Sequence, residues 1–138
     1  MGVNPNQLPA LLQKSLAPVY LFGGSEPLLL QECRDQVICA AQQQGFDERN
    51  VYEVGKGFDW QLLAEDSAAL SLFSSRKIVD LRLPTGRPGR EGSSALVEWV
   101  EAADPDILLM ISCEKWDSSL RKSKWATVLA RAGVLVEI

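Results

Sequence analysis

Two short stretches, Val19-Tyr20-Leu21-Phe22 and Ile107-Leu108-Leu109-Met110-Ile111, carry no charged or strongly polar residue at any position. A strand with one wet face alternates. A run without alternation, closed by Gly23-Gly24 in the first case, predicts a strand buried on both faces, which is the place of a central strand in a parallel sheet. Parallel neighbours cannot be joined by a hairpin, so helical crossovers must lie between them.

The intervening sequence supplies them. Gln7 to Leu16 places Leu8, Leu11, Leu12 and Leu16 at helical spacing and stops before Pro18. Ser25 is the expected N-cap of a helix running to about Gln44, with Glu26 and Pro27 in its first turn. Its core stripe is Leu29, Leu30, Cys33, Val37 and Ala40 or Ala41, and Gly45 ends it. Val51 to Val54 reads as a short edge strand, and Asp59 as the cap of a helix carrying Leu62, Leu63, Ala69 and Leu70. Lys77 to Leu83 alternates, with Val79, Leu81 and Leu83 on one face and Ile78, Asp80 and Arg82 on the other, which predicts a strand with one face less fully covered. Pro84 to Gly92, with two prolines and three glycines, predicts a loop, followed by a helix over about Ser93 to Ala103. Helical material from Asp117 or Ser118 to Arg131, Gly133 as its C′ residue and a last strand from Val134 complete the chain.

Strands alternating with helices make an α/β fold, a five-stranded parallel sheet flanked by helices. Right-handed crossovers, with the two wholly apolar strands in the middle, give the order 2-3-4-1-5 counting strands along the chain. That is the arrangement of the large P-loop-type nucleotide-binding folds. The 138 residues fit one domain, 1–138, and the end at Ile138 reads as a domain cut from a longer protein.

A net charge of −4 argues against a domain that holds duplex DNA by charge alone. The chain has no histidine, which removes Ser-His-Asp and Cys-His catalysis and most zinc sites. Three cysteines without C-x-x-C spacing read as reduced thiols, Met1 to Gln7 lacks a basic signal-peptide region, and no apolar run can span a bilayer. The expectation is a soluble intracellular protein with no metal site and no membrane partner.

In folds of this order ligands bind beyond the carboxyl ends of the strands. A working phosphate loop there reads G-x-x-x-x-G-K-[ST]. This chain offers Gly23-Gly24-Ser25-Glu26-Pro27-Leu28-Leu29, without the lysine or the following hydroxyl, and with Glu26 where phosphate would sit. The third strand ends Arg82-Leu83-Pro84-Thr85 instead of in an acidic residue for Mg²⁺. The expectation is a degenerate, non-functional nucleotide site and no cofactor. A divergent phosphate loop using the helix N-terminus, in a nucleotide-binding enzyme domain, is the alternative.

On the helix from Asp59, residues Leu62, Leu63, Asp66, Ala69, Leu70 and Phe73 share a stripe, whereas Leu72 lies about 100° from Phe73. One face cannot bury both, so either the pair closes a core corner or it grips a partner. The run Ala68-Ala69-Leu70-Ser71-Leu72-Phe73-Ser74-Ser75-Arg76 resembles the clamp-binding element of the δ-subunit family of bacterial DNA polymerase III clamp loaders. Val19 to Glu32, Gln44-Gly45-Phe46, Asp59-Trp60 and Ile107 to Ile111 also resemble that family, so the likeness runs from about Gln7 to Ile138. It implies an AAA+-type N-terminal domain that binds no ATP and has no catalytic residues. It also implies an apolar wedge, Leu72 and Phe73 with Leu70 two before, pressed into the sliding clamp to help open the ring for loading onto primed DNA. The other loader subunits would be met mainly through later domains, DNA only indirectly or weakly, in the bacterial cytoplasm at the nucleoid.

Three further groups of residues each admit a functional and a structural role. Arg82, Arg87 and Arg90 make the glycine-rich loop basic, a candidate DNA or partner contact or simply a solvated face. Lys115, Arg121, Lys122 and Lys124 interleave with Trp116 and Trp125, which suits either base stacking or packing of the tryptophans into the core. Cys113 ends a central strand, but with no histidine to activate it a buried structural thiol is expected.

Overall fold

A computed structural model describes residues 2–55, 57–68, 76–102 and 104–138. Six parallel strands form one sheet: β1 (Gly2–Val3), β2 (Val19–Gly23), β3 (Glu48–Glu53), β4 (Lys77–Leu83), β5 (Ile107–Cys113) and β6 (Val134–Glu137), in the order β1-β6-β2-β5-β4-β3. The five expected strands stand in the expected order, with β2 and β5 in the interior and β3 at an edge. The expected count of five is corrected to six. The addition, β1, pairs Gly2 with Leu135 and Val3 with Val136, and two residues are too few to carry a periodic signal.

Every residue of β2 and of β5 is buried. Because successive side chains point to opposite faces, each strand feeds two cores. Val19, Leu21, Leu109 and Ile111 join Val79, Leu81, Leu96, Trp125 and Leu129 on one face. Tyr20, Phe22, Leu108 and Met110 join Leu8, Leu30, Cys33, Val37 and Ala41 on the other. The second face is covered by α1 (Leu8–Lys14) and α2 (Pro27–Gln42). The first is covered by α3 (Gln61–Ala68), α4 (Gly89–Glu101) and α6 (Lys124–Ala132), and the short α5 (Ser118–Lys122) leads into α6.

The helix termini correct several expectations. Glu26, not Ser25, is the N-cap of α2, with extended backbone and no side-chain cap bond, while Pro27 takes the first helical position, where its missing N–H costs nothing. The helix ends at Gln42. Gly45 then takes φ +96°, and Phe46 N–H donates to the Ala41 carbonyl, a left-handed glycine cap that turns Phe46 into the core. Leu29 is exposed, so the buried stripe is Leu30, Cys33, Val37 and Ala41.

The expected loop Pro84 to Gly92 is shorter, since α4 already begins at Gly89. Gly92 is buried in its first turns, where a Cβ would strike the Trp60 indole and Pro88, so this glycine serves helix packing rather than a loop. The helical material expected through Arg131 breaks at Ser123, whose ψ of 153° ends α5 and starts α6. Finally, β4 is more fully covered than expected: Asp80 is completely buried beside Ile78, and on that face Arg82 alone keeps partial exposure, because β3 and β5 flank this strand and α2 packs on it.

Candidate functional site

The carboxyl ends of β2, β5 and β6 meet at the Gly23-Gly24 turn. Gly23 pairs in register with Cys113 and Glu137, Gly24 N–H donates to the Cys113 carbonyl (3.1 Å), and Ile138 N–H donates to the Gly23 carbonyl (2.8 Å). The Gly24 donor that a phosphate cradle would need is thus committed to the sheet. The space above both glycines is filled as well: a Cβ on Gly23 would run into the Trp116 indole, and one on Gly24 into the Ile138 side chain. Trp116 Nε1 donates to Glu137 Oε2 (2.9 Å), and Arg121 Nε binds the same oxygen (2.6 Å). A roof of Trp116, held by a carboxylate and an arginine, therefore sits on the turn. The two glycines permit close packing of this roof.

The tryptophans are absorbed by the fold in the same way. Trp125 is buried in the core and Trp116 is half-buried over Gly23, so the interleaved pattern Lys115 to Trp125 comes from tryptophans that pack inward and cations, Lys115, Arg121, Lys122 and Lys124, that stay exposed. Cys113 is fully buried, and burial pushes its thiol up to about 12, far from the thiolate that a nucleophile requires.

The three arginines of the basic loop are not one site. Arg82, on β4, has its guanidinium 3.3 Å from Asp80 Oδ2, and Arg49, on β3, reaches the same oxygen at 3.5 Å. Asp80 contributes no exposed side-chain surface, so these two arginines are counter-ions of a buried carboxylate. Arg34 of α2 lies close enough to feel them: its pKa is lowered by burial and by the Arg82 charge, with Asp80, Asp35 and Glu114 pulling the other way. Arg87 lies on the β4–α4 connection, its N–H donating to Thr85 Oγ1 (3.3 Å), and Arg90 is in the first turn of α4; both side chains are exposed. The ion triad Arg49–Asp80–Arg82 was not anticipated. Its only trace in the sequence is that Asp80 and Arg82, two apart on a strand, share a face.

Leu70, Leu72 and Phe73 lie outside the described residues; what the structure describes is the two elements that flank them. On the amino side, Asp59 Oδ1 accepts from Gln61 N–H (2.9 Å) to start α3, Phe58 and Trp60 meet edge to face at 5.1 Å, and Leu63 is buried while Leu62 is exposed. On the carboxyl side, Arg76 Nε lies 3.2 Å from Asp106 Oδ1, and Arg76 Nη1 donates to the Gln44 carbonyl (2.8 Å). The next residue repeats the link, with Lys77 N–H donating to the Asp106 carbonyl (2.9 Å). Arg76 stands at the amino end of β4 and Arg82 near its carboxyl end, six residues apart in an extended strand of roughly 3.3 Å per residue, so they are about 20 Å apart. The glycine turn and the root of the Leu70–Phe73 segment consequently lie at opposite strand ends of the sheet, the carboxyl and the amino ends.

The DNA polymerase III, delta subunit, family model matches residues 20–138. The chain is 34% identical over 132 residues to the DNA polymerase III subunit delta of Escherichia coli K12, covering 96% of this chain and 38% of that protein. It is 35% identical over 130 residues to the same subunit of Haemophilus influenzae, covering 91% and 36%. The chain thus spans less than two-fifths of the length of these curated relatives. Among solved structures it is similar to the Bacillus subtilis DNA clamp loader delta protein, with a TM-score of 0.71 at 20% identity, covering 97% of this chain and 42% of that one. A DNA polymerase III gamma subunit-related protein from Thermotoga maritima shares the fold, with a TM-score of 0.63 at 12% identity over 99% of this chain and 46% of that one.

Proposed function

The chain belongs to the DNA polymerase III delta-subunit family, and we propose that it is the AAA+-like N-terminal domain, residues 1–138, of a clamp-loader δ subunit. In this reading it grips the sliding clamp through Leu72 and Phe73, with Leu70 beside them, and helps open the ring for loading onto primed DNA. It performs no chemistry itself. Neighbouring loader subunits are engaged mainly by later domains, and DNA is met indirectly, in the bacterial cytoplasm. Among the described residues no helix is long and apolar enough to cross a membrane.

The observation that carries the reading is the Ser71-Leu72-Phe73-Ser74-Ser75-Arg76 run between α3 and β4 in a chain of this family. Burial of a leucine and a phenylalanine in a partner pocket supplies roughly 1.5–3 kcal/mol each before association costs, enough for the hot spot of a modest interface. The absence of ATPase function is supported by the sequence at Gly23 to Leu29, which lacks the lysine and hydroxyl, and by the Trp116 and Ile138 roof on the turn. Arg82, engaged with Asp80, is the least suited of the three loop arginines to reach a partner, while Arg87 and Arg90 stay available for one.

The test is binding of the full chain to its own organism's sliding clamp. Leu72→Ser with Phe73→Ser should weaken binding about a hundredfold or more, with the melting temperature unchanged. Wild-type affinity in the double variant would overturn the wedge. A large fall in melting temperature would place the pair in the core instead. Saturable micromolar binding of ATP with Mg²⁺ would favour the nucleotide-binding alternative.

A further inference from the structure

The last residue of the Ser71–Arg76 run makes three contacts, to two separate parts of the fold. Its guanidinium meets the Asp106 carboxylate at 3.2 Å, donates to the Gln44 carbonyl at 2.8 Å, and lies 5.4 Å from the centroid of the Phe46 ring. Asp106 belongs to the turn that enters β5, Gln44 to the turn that closes α2, and Phe46 is a core residue packed with α1 and α2. A planar fork can address a carboxylate, a carbonyl and a ring face together; an ammonium cannot reproduce that set.

The ion pair in this arrangement adds little to global stability. The Arg76 and Asp106 side chains are 40% and 50% exposed, and ion pairs at that exposure contribute little. The contacts do hold Arg76 in place at the amino end of β4, and that residue is the carboxyl-side root of the segment carrying Leu72 and Phe73. A rooted segment loses less conformational freedom when it docks, which is the general basis of tighter binding by preorganisation.

We propose that Arg76 is a positioning residue for clamp binding, acting through the segment it roots and not by touching the clamp. The proposal rests on the wedge reading above. It assigns to Asp106, thirty residues away and within no part of the run, a share of the same effect.

Clamp affinity of the full chain would be measured for Arg76→Ala, Arg76→Lys, Asp106→Asn and the Leu72→Ser/Phe73→Ser double variant, each at two salt concentrations and each with its melting curve. Arg76→Ala should weaken binding about tenfold, Arg76→Lys should recover little of it, and Asp106→Asn should show a smaller loss in the same direction. The salt dependence of binding should match wild type in all three, because no charge is removed from the interface itself. The melting temperature of Arg76→Ala should move little. Wild-type affinity in Arg76→Ala would overturn the proposal, as would a loss confined to Arg76 variants with a reduced salt dependence, which marks a direct contact. Should Arg76→Ala fail to fold, Asp106→Asn decides alone, and unchanged affinity in it refutes the idea. If the double variant binds as wild type, the wedge reading falls and this inference with it. If the double variant loses binding and Arg76→Ala does not, only this inference falls.

Discussion

Removing both arginines from Asp80 should unfold the domain more readily than removing Asp80 itself. The Asp80 side chain has no exposed surface, and Oδ2 faces Arg82 at 3.3 Å and Arg49 at 3.5 Å. At 3.3 Å and an effective dielectric of about 20, the gross Coulomb term is about 5 kcal/mol per pair. The arginine side chains are 37% and 42% exposed, so solvent screens much of it. With one arginine still in place, Arg82→Met should therefore cost only about 1–2 kcal/mol. Arg49→Met with Arg82→Met leaves a buried carboxylate without either ion-pair partner, with the Arg34 charge still near it, and should cost about 3–5 kcal/mol. At this chain length that is roughly 10–20 °C in melting temperature. Asp80→Leu, by contrast, frees two arginines that can reach water and removes Oδ1, which has no hydrogen-bond partner among the described residues, so its cost should stay within about 1 kcal/mol. Urea unfolding monitored by circular dichroism, with the m-value compared across variants, measures each term. The reasoning fails if Asp80→Leu destabilises as much as the double arginine variant, or if the latter melts with the wild type. Either result would mean that packing around Asp80, not its charge, holds this part of the sheet.

Gly23→Ala should displace the Trp116 indole and cost about 2 kcal/mol or more through overpacking, and Trp116→Ala in the same chain should recover part of the loss; thermal melts of the two variants check this. Cys39 should react with a thiol reagent in the folded protein while Cys33 and Cys113 wait for denaturant, because only Cys39 is exposed. Burial raises the folded-state pKa of Cys113 from 9.0 to about 12, so its contribution is fully present below pH 9 and is lost as pH rises from about 9 toward 12, where the unfolded thiol ionises first. Stability should fall there by up to about 1.4 kcal/mol per pH unit more than in Cys113→Val, and melts between pH 8 and 10.5 that run parallel would refute the burial argument.

How far the sequence reached can be seen element by element. Unbroken apolarity at Val19–Phe22 and Ile107–Ile111 was enough to place β2 and β5 inside a parallel sheet, because only a doubly covered strand keeps apolar residues at both parities. The handedness of crossovers then ordered five strands. The missing lysine and hydroxyl after Gly23-Gly24 were legible for the same reason, since a phosphate cradle requires particular atoms at particular spacing. Alternation in β4 was legible but misread: a charged residue every second position ordinarily faces water, and nothing local in Lys77 to Leu83 says that α2 will cover it or that Arg49, 31 residues earlier, will neutralise it. Composition misplaced the start of α4, because Gly89 and Gly92 read as breakers until Trp60 shows why one of them must lack a side chain.

By itself, then, the sequence determined five of the six strands, their order and the run Ser71 to Arg76, all of which rest on local pattern and short-range sterics. Only tertiary structure decided that Trp116 roofs the glycine turn, that Asp80 is a buried charge with two partners, and that Arg76 is bound to Asp106, Gln44 and Phe46. Apart from the Asp80–Arg82 pair, two positions apart on one strand, each of these joins residues about thirty or more positions apart, and such contacts are set by how strands and helices stack, a geometry that no window of the sequence contains.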